Sequence, residues 1–65
     1  LDSTARMRAA LAREGLLGAW LTPADLQAAL GMSPATQRSW CAAAIAAGAM
    51  QRDGVRGQYR YLMPE

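Results

Sequence analysis

Apolar residues recur at helical spacing through most of the chain and switch to strict alternation near its end. Met7, Ala10 and Leu11 share one helical face, which predicts a first helix over about residues 4–14, with Asp2-Ser3-Thr4 offering an N-cap and Gly15 following its end. Leu16 to Leu21 is too short and too interrupted by Gly18 for another helix, so a loop ending in a short extended piece at Trp20-Leu21 is expected. Thr22-Pro23-Ala24-Asp25 then reads as a helix start. Thr22 caps, Pro23 takes the first helical position, and Asp25 closes a capping box and suits the positive end of the helix dipole. This second helix runs to about Leu30, with Leu26, Ala29 and Leu30 inward, and Gly31 can end it in the left-handed conformation.

Ser33 and Pro34 repeat the cap-then-proline signal, and the Ala-rich stretch up to Gly48 predicts a third helix over residues 34–47. Cys41, Ala44, Ile45 and Gly48 fall on one stripe, the expected core side. Thr36, Gln37, Arg38 and Ser39 occupy the first two turns, and Trp40 lies at the stripe's edge, where it either packs under the following element or stays partly exposed. Ala49 to Arg52 reads as a strand, and Asp53-Gly54-Val55-Arg56-Gly57 as a turn. Gln58-Tyr59-Arg60-Tyr61-Leu62 reads as the returning strand, with both tyrosines on one face, Arg60 on the other, and Pro64 ending the element.

Composition narrows the picture. At 65 residues the chain is one domain at most, expected to be part of a longer protein because it opens on Leu. A chain this size buries only about 60% of its unfolded surface. Much of the 52% hydrophobic content is Ala, so a few large side chains, Trp20 and Trp40 among them, must fill the core. Net charge is +2 with every positive residue an Arg, a bias that suits a GC-rich bacterial or phage genome. Arg38, Arg52, Arg56 and Arg60 cluster after Met32, which places the positive excess on the elements that would face a polyanion. Arg6 and Arg13 share one exposed side of the first helix, with Arg8 near the opposite edge, and read as a solvated face. One Cys and no His exclude an intrachain disulfide and a zinc site, which fits a reducing, cytoplasmic compartment. No membrane span or signal peptide is visible. No enzyme is expected and no cofactor: there is no His, no useful carboxylate pair and no phosphate loop, and Cys41 has no base beside it.

A helix, a turn of about three residues and a second helix presenting polar side chains is the layout of a helix-turn-helix. The whole order, helix, short strand, helix, turn, helix, hairpin, resembles the α+β winged helix-turn-helix superfamily. Leu21 to Ser33 carries the resemblance for the turn, Pro34 to Trp40 for the reading helix, and Ala46 to Leu62 for the wing. The style is that of MarR-like and GntR-like bacterial regulators, with the C-terminal winged helix of DprA-type proteins a weaker match. In such domains the position of Gln37 is commonly Val or Ile packed inward, and Cys41 and Ala44 stand where Leu is frequent. Gln37 must therefore turn to solvent or find a partner, because an unpaired buried amide costs about 1–3 kcal/mol.

The resemblance implies double-stranded DNA as partner and a bacterial or phage transcription or replication regulator as parent. Helix 34–47 would enter the major groove, with Ser33, Thr36 and the helix N-terminal amides on phosphate. Arg38 would read guanine, Gln37 adenine if exposed, and Ser39 a base or phosphate. Hairpin 49–62 would act as the wing, with Arg56 at the minor groove and Arg52 and Arg60 on phosphates. So small a net charge calls for a homodimer or a larger parent protein to reach useful affinity. The alternative is a winged helix serving as a protein-interaction or assembly module of a larger DNA-processing protein. Pro34, Ala35 and Ala42, which supply few base-reading groups, favour it.

Overall fold

A computed structural model of the chain describes residues 3–63. Its elements are α1 (Ser3–Arg13), β1 (Trp20–Leu21), α2 (Pro23–Leu30), α3 (Pro34–Ala46), β2 (Met50–Asp53) and β3 (Gln58–Tyr61). The architecture is α+β: three helices and one antiparallel three-stranded sheet in the order β1-β3-β2. The first helix starts at Ser3 and ends at Arg13, a residue earlier at each end than its apolar spacing predicts. Asp2 of its expected cap and Pro64 after the hairpin lie outside the described residues. No helix among the described residues is long and apolar enough to cross a membrane.

Local chemistry sets the helix boundaries. Thr22 Oγ1 accepts the Asp25 amide at 3.1 Å while Asp25 Oδ2 accepts the Thr22 amide at 3.2 Å, the reciprocal pair of a capping box. Gly31 closes α2 at φ 62°, ψ 39°, and its N–H returns to the Gln27 carbonyl. That left-handed backbone is cheap only for a residue without Cβ. Two residues later Ser33 caps α3, so α2 and α3 are joined by a turn with no room to wander.

The core draws on every element: Met7 and Leu11 of α1, Leu21 of β1, Leu26 of α2, Cys41 and Ala44 of α3, Met50 of β2 and Tyr61 of β3. Each fully buried Leu contributes about 1.5–3 kcal/mol relative to exposure. The Tyr61 hydroxyl donates to the Thr4 carbonyl at 3.0 Å, tying the last strand to the first helix.

Two expectations about packing fail for identifiable reasons, and one strand boundary shifts. Ile45, placed on the core stripe by spacing alone, is 38% exposed. The buried stripe of α3 is instead Gln37, Cys41 and Ala44, with Trp40 half-buried against the core. That rotation of the helix is possible because Gln37 finds hydrogen-bond partners inside. Trp20 does not fill the core either. It is 41% exposed, and it is the β1 residue paired with Arg60, on the sheet face opposite Leu21. The second strand starts at Met50 rather than Ala49 and runs through Asp53, leaving a four-residue turn, Gly54 to Gly57.

Candidate functional site

The residues expected to touch a partner divide between the start of α3 and the hairpin. At the helix start, Ser33 sits at φ −71°, ψ 160°, and its Oγ accepts the Thr36 amide at 3.3 Å while the hydroxyl donates to Thr36 Oγ1 at 3.1 Å. Both side chains are exposed, and both hydroxyls keep acceptor capacity beyond these bonds. The expected row of open amides is reduced. Pro34 has no N–H, Thr36 is capped, and the Gln37 amide donates to the Ser33 carbonyl at 2.9 Å. The Ala35 N–H remains without an intrachain acceptor among the described residues. Arg38 and Ser39 follow, both exposed on the side of α3 away from Cys41 and Ala44.

Gln37 takes the inward course. It is 1% exposed, its Oε1 accepts Gln27 Nε2 at 3.0 Å, and its Nε2 donates to Cys41 Sγ at 3.3 Å. The adenine contact requires an exposed Gln37, and that condition is not met: its amide is engaged between α2 and α3. Cys41 is buried beside it. Burial pushes the thiol up from its ordinary value of 9.0, against a smaller lowering by the Gln37 hydrogen bond. At neutral pH the sulfur is a protonated, packed group with little nucleophilic character.

The hairpin turn is held by one carboxylate. Asp53 Oδ1 accepts the amides of Val55 at 3.0 Å and Arg56 at 3.2 Å, and the Gly57 amide donates to the Asp53 carbonyl at 2.8 Å. This arrangement fixes the backbone at the tip. Val55 stands 97% exposed, with Arg56 exposed beside it.

The strand arginines separate. Register aligns Leu21, Tyr59 and Arg52 in one row, and Trp20, Arg60 and Gln51 in the next. Alternation along a strand sends these rows to opposite faces of the sheet. Arg52 is thus exposed on the edge strand, on the face that carries Tyr59. Arg60 is half-buried on the other face, with its guanidinium carbon 4.7 Å from the Trp20 ring centroid and Nη2 donating to Gln51 Oε1. Arg52 and Arg60, both expected on phosphates, thus lie on opposite faces of the sheet.

Arg38, Ser33, Thr36, Ser39, Arg52 and Arg56 thus remain presented to solvent, while Gln37 and Arg60 are engaged within the fold. Sequence reasoning missed Gln27 as the partner of Gln37 and missed the Trp20–Arg60 stack. The first had a signal, since Gln27 is the one uncharged polar residue of α2 and adjoins the buried Leu26. The second depends on strand register and had none. Comparison with known protein families, with curated proteins and with solved structures returned no match.

Proposed function

We propose that this chain is a winged helix-turn-helix domain that binds double-stranded DNA, with α3 in the major groove and the β2–β3 hairpin as the wing. The carrying observation is the division of α3. Gln37, Cys41 and Ala44 anchor one side, leaving Thr36, Arg38 and Ser39 exposed on its first two turns beyond an exposed Ser33 cap. Arg38 is the candidate for bidentate contact with guanine O6 and N7, worth about 1–3 kcal/mol of discrimination. Ser33, Thr36 and the Ala35 amide suit phosphate. Arg56, on a tip already ordered by Asp53, suits the minor groove, and Arg52 suits a phosphate.

This reading places the domain in a bacterial or phage regulator of transcription or replication, acting as a pair or within a larger chain. A second reading, an assembly module, draws support from the rest of the exposed α3 surface. Ala35, Ala42, Ala43 and Ala46 carry no side-chain group that distinguishes one base pair from another.

Fluorescence anisotropy against a random-sequence duplex at low and physiological salt tests the proposal. Binding should weaken with salt, with a log–log slope no steeper than about −3, the limit set by the charges of Arg38, Arg52 and Arg56. Arg38→Ala and Arg56→Ala should each weaken it about tenfold with melting temperature unchanged. Absence of binding at low salt, or affinity indifferent to both substitutions, would overturn it.

A further inference from the structure

We propose that the outer face of the sheet, built on Trp20 and Arg60, docks an acidic segment of a partner protein that carries a bulky apolar side chain next to its carboxylate. This surface lies on the opposite sheet face from Arg52, and the proposal does not rest on DNA binding.

The face holds one fixed cation, with Trp20 and Leu62 as its apolar neighbours and Gln51, Gln58 and Asp53 as its polar ones. Trp20, Arg60 and Gln51 form one row across all three strands. The ladder continues past β3, with the Leu62 amide donating to the Ala49 carbonyl at 2.9 Å, so alternation sets Leu62 on the Arg60 side. Trp20 is 41% exposed and Leu62 does not pack against the core cluster, whereas Leu21, Tyr59 and Tyr61 belong to it or lie on it.

Arg60 gives the face its chemistry. Its guanidinium is clamped between the Trp20 ring and the Gln51 amide, and its Nε is buried without a hydrogen-bond partner. Among the described residues no carboxylate pairs with it, so the free chain holds a cation with donors unused and one of them desolvated. A partner carboxylate on the outward nitrogens supplies the missing charge. The guanidinium is already oriented, so little side-chain entropy is lost on binding. Trp and Arg are among the residue types enriched in the buried centre of protein–protein interfaces. A phosphate backbone is a poorer match, because Trp20 and Leu62 beside the guanidinium would desolvate phosphate oxygens without pairing them.

The test is an NMR titration of the chain, reading the Trp20 indole N–H. The probe is a short synthetic peptide alternating Asp with Leu, run beside its Lys–Leu counterpart and a random-sequence duplex. The acidic peptide should shift the indole resonance saturably. Affinity should fall about tenfold in Arg60→Gln, the contribution of one central interface residue. Leu62→Ala, which removes only apolar surface beside Arg60, should also weaken binding if Arg60→Gln proves poorly folded by circular dichroism. Arg38→Ala should leave the titration unchanged. No saturable shift, an equal response to the Lys peptide, an equal response to duplex DNA, or indifference to both variants would overturn the proposal.

Discussion

Gln37 is the residue whose environment changes the reading of the chain most. A buried side-chain amide is tolerated when its polar atoms are paired, and here Oε1 and Nε2 are each paired once, to Gln27 and Cys41. Because Gln27 is on α2 and Gln37 on α3, the bond fastens the two helices directly across their turn. Gln37→Ala removes the clasp and leaves a void, and should cost about 2–3 kcal/mol in a urea titration. Gln37→Met keeps the volume and should cost about 1 kcal/mol. A double-mutant cycle with Gln27→Ala should return a coupling of about 1 kcal/mol, and strictly additive losses would show that the clasp contributes nothing. The sequence could not decide this residue. The winged-helix resemblance pointed it inward and its polarity pointed outward, and the arbiter was a partner ten positions earlier, whose reach depends on how α2 crosses α3. Arg38 and Ser39 had no such conflict, and their exposure was legible from the period alone.

At the scale of elements, what could be read in advance was what is local. The Thr22–Asp25 box, the left-handed Gly31 and the Ser33 cap each involve residues within a few positions of one another, so their signatures stand intact in the one-dimensional chain. What could not be read was set by pairing at a distance. Trp20 reached the outer sheet face because β1 pairs with β3, some forty residues away, in a register that no local pattern encodes. The buried face of α3 shifted away from Ile45 for a similar reason, the packing of Gln37 against α2. The two caps also differ in kind. Thr22 is reciprocated by Asp25, whereas Ser33 faces Thr36 and receives no side-chain bond to its own amide. Thr22→Ala should therefore cost about 1–1.5 kcal/mol and Ser33→Ala about 0.5–1 kcal/mol, measured as shifts in urea midpoint at constant slope. Equal losses would mean that the Asp25 return bond adds nothing in water.

For the molecule as a whole, the distribution of the core decides how it must unfold. Each of the six elements contributes one or two residues to a single buried cluster, and none holds enough apolar surface to stand apart. α1 packs on the rest through Met7 and Leu11, and its far end is pinned to β3 by the Tyr61 hydroxyl on the Thr4 carbonyl, across 57 positions of sequence. Losing any one element opens the core of the others, so partial structures have no free-energy minimum of their own. The two tryptophans report on different regions: Trp20 on the outer sheet face, Trp40 on the flank of α3. Tryptophan emission and far-ultraviolet circular dichroism should therefore give one coincident urea transition. Tyr61→Phe should lower stability by about 1 kcal/mol while leaving the two probes coincident, since the ring stays buried and only the hydroxyl's bonding is lost. If circular dichroism instead kept a helical signal past the fluorescence midpoint, the helices would hold together without the sheet. In that case the sheet would be an appendage to a helical core rather than one wall of it.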